Sequence, residues 1–249
     1  MALPLIEIAA PREPQVLSAL AQARSGWQDH DALMFVSAAA VHHFFRNGVA
    51  LSTEHPGHRT RFWAPGPGTA RALAQSLIPL GVDASRIDTP PADALQFDSE
   101  HLWPMVQHQM VDGARLLVVR GVSPDSEGTT TYGITGSGRD WLMDQCRARG
   151  ARVATCVTYE RRAPVWTEFQ QSQAQAASGP DSVWLFSSSE AVGHLESLLP
   201  FARWSQAQAL CTHERIATAA QAAGFGRVFT SRPDLEDMLC ALELAQRSP

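Results

Sequence analysis

Short runs of consecutive apolar residues recur along the chain, separated by segments whose apolar residues return every three or four positions. The runs are 3–9 (LPLIEIA), 32–37 (ALMFVS), 61–66 (RFWAPG), 115–121 (RLLVVRG), 151–159 (ARVATCVTY), 182–188 (SVWLFSS), 208–213 (QALCTH) and 227–231 (RVFTS). Runs this short and this apolar are what a strand shows when both faces of its sheet are covered. Helical spacing is clearest at 68–81, 139–150, 214–224 and 234–247. Strand and helix in alternation predict an α/β fold with parallel sheets. Gly81, Gly150 and Gly224 each close a helical segment just before a strand, where a left-handed C-cap is expected. Segment 122–138 is rich in Gly, Ser and Thr and reads as a surface loop. Segment 172–181 reads as a helix end and its exit turn.

One strand-to-helix junction is written twice. ALMFVSAAAV (32–41) is echoed by VWLFSSSEAV (183–192), so that Phe35 aligns with Phe186, Ser37 with Ser188 and Val41 with Val192. Each copy leads on to another strand and an Ala-rich helix. The repetition points to two similar α/β units of duplicated origin, although Ser at a helix N-cap is common enough for coincidence.

Composition narrows the function. The chain has 249 residues, 45% of them hydrophobic, enough for one large or two small domains. A net charge of −5 argues against non-specific nucleic-acid binding, which needs a basic footprint. All 20 basic residues are Arg. The absence of Lys excludes Schiff-base and P-loop chemistry, hence pyridoxal-phosphate enzymes and P-loop NTPases. Cys146, Cys156, Cys211 and Cys240 form no CxxC pair and read as reduced thiols. The first residues carry no secretory signal, and no apolar run approaches the roughly 18 residues of a membrane helix. The expectation is a soluble, cytoplasmic protein with no membrane or nucleic-acid partner.

In open α/β sheets ligands bind beyond the carboxyl ends of the strands, where helix N-termini offer free N–H groups to anions. Ser37, Ser188 and Ser189 stand at such ends, as do Thr69 in GPGT (66–69), Arg120–Gly121 and Thr212–His213. The same hydroxyl residues also read as plain N-caps. No GxGxxG dinucleotide loop and no GxSxG nucleophile elbow is present. His42 and His43 are adjacent and diverge on a helix, and His55 and His58 lack neighbouring ligands, so no metal site is expected. Of two tyrosines, Tyr132 falls in the loop and Tyr159 ends a strand just before Glu160–Arg161. A phenol there is either a proton donor to a leaving group or an ordinary half-wet core tyrosine.

At these residues the sequence resembles uroporphyrinogen-III synthases. Similar pieces run in order: LPLIEI (3–8), DALMFVSAAAVHHFF (31–45), APGPGTARAL (64–73), LLVVRG (116–121), 138–161 ending in Tyr-Glu-Arg, WLFSSSEAV (184–192) and HERIATAAQAAGF (213–225). The resemblance implies two flavodoxin-like α/β domains with parallel sheets, one inserted into the other, joined by a two-stranded linker with a cleft between the domains. The inserted domain is expected at 10–154, the linker strands at 1–9 and 155–160, and the second domain at 161–249. The implied reaction converts hydroxymethylbilane, which carries eight carboxylates, into uroporphyrinogen III, with loss of water and inversion of ring D, in haem and sirohaem biosynthesis. No cofactor is implied. A monomer in transient contact with hydroxymethylbilane synthase is expected.

By the resemblance, Tyr159 is the residue that assists hydroxyl loss. Ser37, Thr69, Arg120, Gly121, Ser188 and Ser189 are the strand-end positions that meet substrate. Three features depart from the family pattern. A small Thr-containing turn is replaced by His213–Glu214–Arg215–Ile216, so that His213 and Arg215 either serve substrate carboxylates or sit on the surface. Val122–Ser137 is inserted, as a lid or a tolerated loop. The opening strand and helix that precede LPLIEI in the family are absent, so the second domain is expected to lack them. Two other readings stay open: a catalytically degenerate tetrapyrrole-binding homologue, and an unrelated nucleotide-dependent α/β enzyme.

Overall fold

The computed structural model describes residues 1–46, 59–91, 94, 96–123, 137–232 and 234–247. By its internal contacts the chain forms two compact units. One runs continuously from Ile8 to Arg161 and interrupts the other, which comprises Met1–Glu7 and Arg162–Pro249.

In the 8–161 unit the sheet order is β1-β6-β5-β2-β3-β4, where β1 is Glu7–Ala9, β2 Ala32–Phe35, β3 Arg61–Trp63, β4 Ile87–Asp88, β5 Arg115–Val122 and β6 Arg152–Arg162. The β2–β3, β2–β5, β3–β4 and β5–β6 pairs are parallel. Helices α1 (Pro14–Ser25), α2 (Ala38–Phe45) and α3 (Pro67–Leu77) cover one face through Leu20, Val41, Phe44, Leu73 and Leu77. Helices α4 (Ser99–Val106) and α5 (Ser137–Ala148) cover the other through Leu102, Val106, Leu142 and Met143. Strand alternation explains the apolar runs. Leu33 and Phe35 point to the first layer and Ala32 and Met34 to the second, and all four are fully buried. Burying each of the larger side chains contributes about 1.5–3 kcal/mol.

In the other unit β7 (Val183–Phe186), β8 (Gln208–Cys211) and β9 (Arg227–Thr230) pair in parallel, in that order. Its core packs Trp184, Phe186, Trp204 and Phe225 ring against ring, with Ala174 of α6 (Glu168–Ala176), Val192 and Leu195 of α7 (Ser189–Leu198) and Ile216 of α8 (Glu214–Ala222). Helix α9 (Leu235–Arg247) lies against β8 and β9.

Gly81, Gly150 and Gly224 have φ of 65°, 83° and 90°, the left-handed caps that the sequence pattern predicts. Several strands are shorter than their apolar runs. Residues 64–66, for example, leave the sheet to enter α3, whose N-cap is Gly66. The two-residue strand β4 gave no apolar run. Instead, Arg61 and Gln109 both donate to the Asp88 carboxylate, and Trp63 Nε1 donates to Gln109. Most of the expected 122–138 loop, including Tyr132, lies outside the described residues, as do His55 and His58. Among the described residues no helix is long and apolar enough to cross a membrane.

Burial pushes the thiols of Cys146 and Cys156 up to about 12 and that of Cys211 to about 11, whereas Cys240 is exposed. A colorimetric thiol titration of the native chain is therefore expected to show one fast-reacting cysteine, with all four reacting in denaturant. A fast thiol retained after Cys240→Ser would contradict this packing.

Candidate functional site

The carboxyl ends of β2, β5 and β6 bring three of the expected residues together. Ser37 is the N-cap of α2, and its Oγ accepts the Ala40 N–H at 3.1 Å. The same Oγ lies 3.1 Å from the Tyr159 hydroxyl, so Ser37 is both the helix cap and the partner of the phenol. In the sheet order β5 lies between β2 and β6, so Tyr159 must reach across β5 to meet Ser37.

A β-bulge and a glycine make that crossing possible. Arg120 pairs with Val157 and Gly121 with Tyr159, which leaves Thr158 as the extra residue. Thr158 Oγ1 donates to the Arg120 carbonyl at 3.3 Å. Without the bulge, Cys156 and Tyr159, three residues apart, would face opposite sides of the sheet. With it both join the layer under α1–α3. The phenol then lies over Gly121, where a Cβ would come within 2.2 Å of Tyr159 Cε2 and Cζ. Tyr159 is only 5% exposed. The next residue, Glu160, is buried, and its Oε1 accepts the Arg12 N–H at 3.1 Å.

Thr69 is buried in the first turn of α3, at the same edge. Among the described residues no side chain caps that helix: its N-cap is Gly66 and Pro67 follows. A helix start of this kind presents first-turn backbone N–H groups of the sort that suit an anion. Arg120 does not join the Tyr159 cluster. Alternation along β5 sends its side chain to the α4–α5 face with Leu116 and Val118, and its Nε donates to the Gly121 carbonyl at 3.4 Å.

The other unit presents a second set at the ends of β7 and β8. Ser188 is the N-cap of α7 but, unlike Ser37, makes no side-chain cap hydrogen bond, and Ser189 opens that helix. His213 is the N-cap of α8. Its Nδ1 accepts the Arg215 N–H at 3.1 Å, which leaves the ring proton of the neutral form on Nε2 as a donor. His213 and Arg215 are both exposed.

The family model for uroporphyrinogen-III synthase HemD matches residues 1–240. The chain belongs to the uroporphyrinogen-III synthase family. The family's activity is that of a cyclising lyase in porphyrin biosynthesis, acting on a small-molecule substrate. No curated protein sequence matches significantly. Among solved structures, the uroporphyrinogen-III synthetase of Helicobacter pylori superimposes with a TM-score of 0.54 at 17% identity, over 98% of this chain and 92% of that one. A mutant uroporphyrinogen III synthase of Thermus thermophilus gives 0.48 at 17%, over 99% and 88%. The Helicobacter likeness extends to the fold, and membership of the synthase family rests on the family model.

Sequence reasoning missed one neighbour of Tyr159. His43, on α2, sets its ring 5.7 Å from that of Tyr159 at a 43° tilt. Its one signal in the sequence is its place six residues after Ser37. Burial lowers its pKa, and Arg46, His42 and Arg24 lower it further. His30 is lowered by burial and by Arg115.

Two expectations follow. Gly121→Ala should force the Tyr159 ring aside and cost about 1–3 kcal/mol, read as a lower urea midpoint; an unchanged midpoint would mean the ring has room to move. The depressed histidines give a sign for pH. Their folded pKa values lie below the unfolded value of 6.5, so the unfolded chain takes up protons first. Stability from this source is present above about pH 6.5 and is lost as pH falls through the folded values. The urea midpoint should drop on acidification, and by less in His43→Phe.

Proposed function

We propose that this chain converts hydroxymethylbilane into uroporphyrinogen III, with Tyr159 as the donor that assists departure of the terminal hydroxyl. The observation that carries this reading is the 3.1 Å contact between the Tyr159 and Ser37 hydroxyls at the head of α2. Ser37 Oγ already accepts the Ala40 N–H. Its own proton is then best directed at the Tyr159 oxygen, which leaves the phenol proton for the leaving hydroxyl. When water departs with that proton, the phenolate keeps the Ser37 O–H, and the positive end of the α2 dipole lies behind it.

The substrate's carboxylates call for donors rather than a general positive charge, since the chain is net negative. In this reading the α3 N-terminus with Thr69 binds carboxylate, as do Ser188, Ser189, the His213 Nε2–H and the Arg215 guanidinium. Arg120 and Gly121 act through the backbone around Tyr159 rather than by contact with the substrate. Holding a flexible chain so that one closure outruns spontaneous closure accounts for much of the rate. The proposed setting is the cytoplasm, with a monomer receiving hydroxymethylbilane by transient contact with hydroxymethylbilane synthase.

Isomer analysis tests the activity. Freshly generated hydroxymethylbilane is supplied and the oxidised uroporphyrins I and III are separated. Predominantly type III is expected, and type I alone, the spontaneous product, would overturn the reading. Tyr159→Phe and Ser37→Ala are expected to lower kcat roughly tenfold or more while the product stays type III. Unchanged turnover in Tyr159→Phe would remove Tyr159 from the mechanism.

A further inference from the structure

The hydrogen bond between Tyr159 and Ser37 fixes the phenol at one point, its hydroxyl. The ring itself lies over Gly121 within the buried α1–α3 layer, and a proton donor meets its acceptor most often when its remaining swing about the Cα–Cβ bond is also checked. On the side of α2 the ring meets His43, at 5.7 Å between centroids. Ser37 and His43 belong to the same short helix, as its N-cap and a residue of its later turns. Tyr159 stands on β6, two strands away from β2 in the sheet. Helix α2 therefore grips the phenol at both hydroxyl and ring.

The helix is itself held where the imidazole leaves it. The Arg24 guanidinium of α1 donates to the His43 backbone carbonyl. Phe44, the next residue, is fully buried against Phe35, with ring centroids 5.5 Å apart. Burial favours the neutral form of the imidazole, and the neighbouring Arg46, His42 and Arg24 favour it further. A neutral aromatic face against the phenol adds no net charge to the donor.

We propose that His43 is a positioning residue for Tyr159, its imidazole forming the wall that keeps the phenol hydroxyl on Ser37. This rests on the reading of Tyr159 as the donor, and it assigns His43 no contact with substrate.

The chain has two tyrosines, so incorporation of 3-fluorotyrosine gives two ¹⁹F resonances, and Tyr159→Phe identifies the one from Tyr159. In His43→Ala that resonance should shift and broaden. kcat for type III formation should fall about tenfold, with KM held within about twofold. His43→Phe, which keeps a ring face, should restore both the resonance and kcat. Circular dichroism checks that each variant is folded. If His43→Ala does not fold, His43→Gln, which keeps volume without an aromatic face, should show the same losses. Three results would overturn the proposal: unchanged kcat, a loss of kcat with the Tyr159 resonance unmoved, or His43→Phe as impaired as His43→Ala. Full activity in Tyr159→Phe would instead remove the donor reading, while the ¹⁹F resonance would still report whether His43 holds the ring.

Discussion

Tyr159 and Ser37 stand on opposite sides of β5, and the hydrogen bond between them exists only because the phenol can lie across that strand. Three local features serve this crossing. The bulge at Thr158 turns Tyr159 onto the α1–α3 face. Thr158 satisfies the Arg120 carbonyl that the irregular pairing would otherwise strand. Gly121 removes the one side chain that would occupy the path of the ring. The rest of the unit supports that arrangement: the apolar layers above and below β2 and β5 hold the strands flush, and α2 brings Ser37 to the end of the crossing.

The duplicated junction shows how one sequence pattern takes on two jobs. In the 8–161 unit, Ser37 spends a lone pair on the helix and shares its hydroxyl with Tyr159. At the equivalent place in the other unit, Ser188 makes no cap hydrogen bond and leaves its hydroxyl for other partners. The neighbouring turn carries His213 where the N-cap is needed. The imidazole performs that capping through Nδ1 and retains a donor on Nε2. One unit thus offers a buried, tightly bound phenol, and the other offers exposed donors suited to anions.

Carboxylate hydrogen bonds mark the places where the chain passes between the units. Arg162 makes two hydrogen bonds to the Glu7 carboxylate, at 2.9 and 3.0 Å, and Glu160 accepts the Arg12 N–H. Glu7 opens β1 and Arg162 closes β6, the two strands that carry the crossings, and Glu160 and Arg12 lie close by. Their partner residues are about 150 positions apart in sequence, so nothing local could have announced them.

Much of the architecture was legible because its causes are local. Runs such as ALMF and LLVV are apolar on both faces, which already requires covered parallel strands, and a glycine closing a helix requires a left-handed backbone whatever its surroundings. Ser37 and Tyr159 could likewise be named as strand-end residues. Their hydrogen bond could not, because it depends on a one-residue slip in pairing that changes which face Tyr159 occupies, and a slip leaves no mark on hydrophobic spacing. Arg120 follows the regular alternation of β5 to the other layer, and His43, on α2, meets the tyrosine only through the packing of that helix. By itself the sequence determined the longer apolar strands, the helices that close on glycine and the family. Tertiary structure decided which of the strand-end residues meet, because that is set by strand order and register, and by where a missing side chain leaves room.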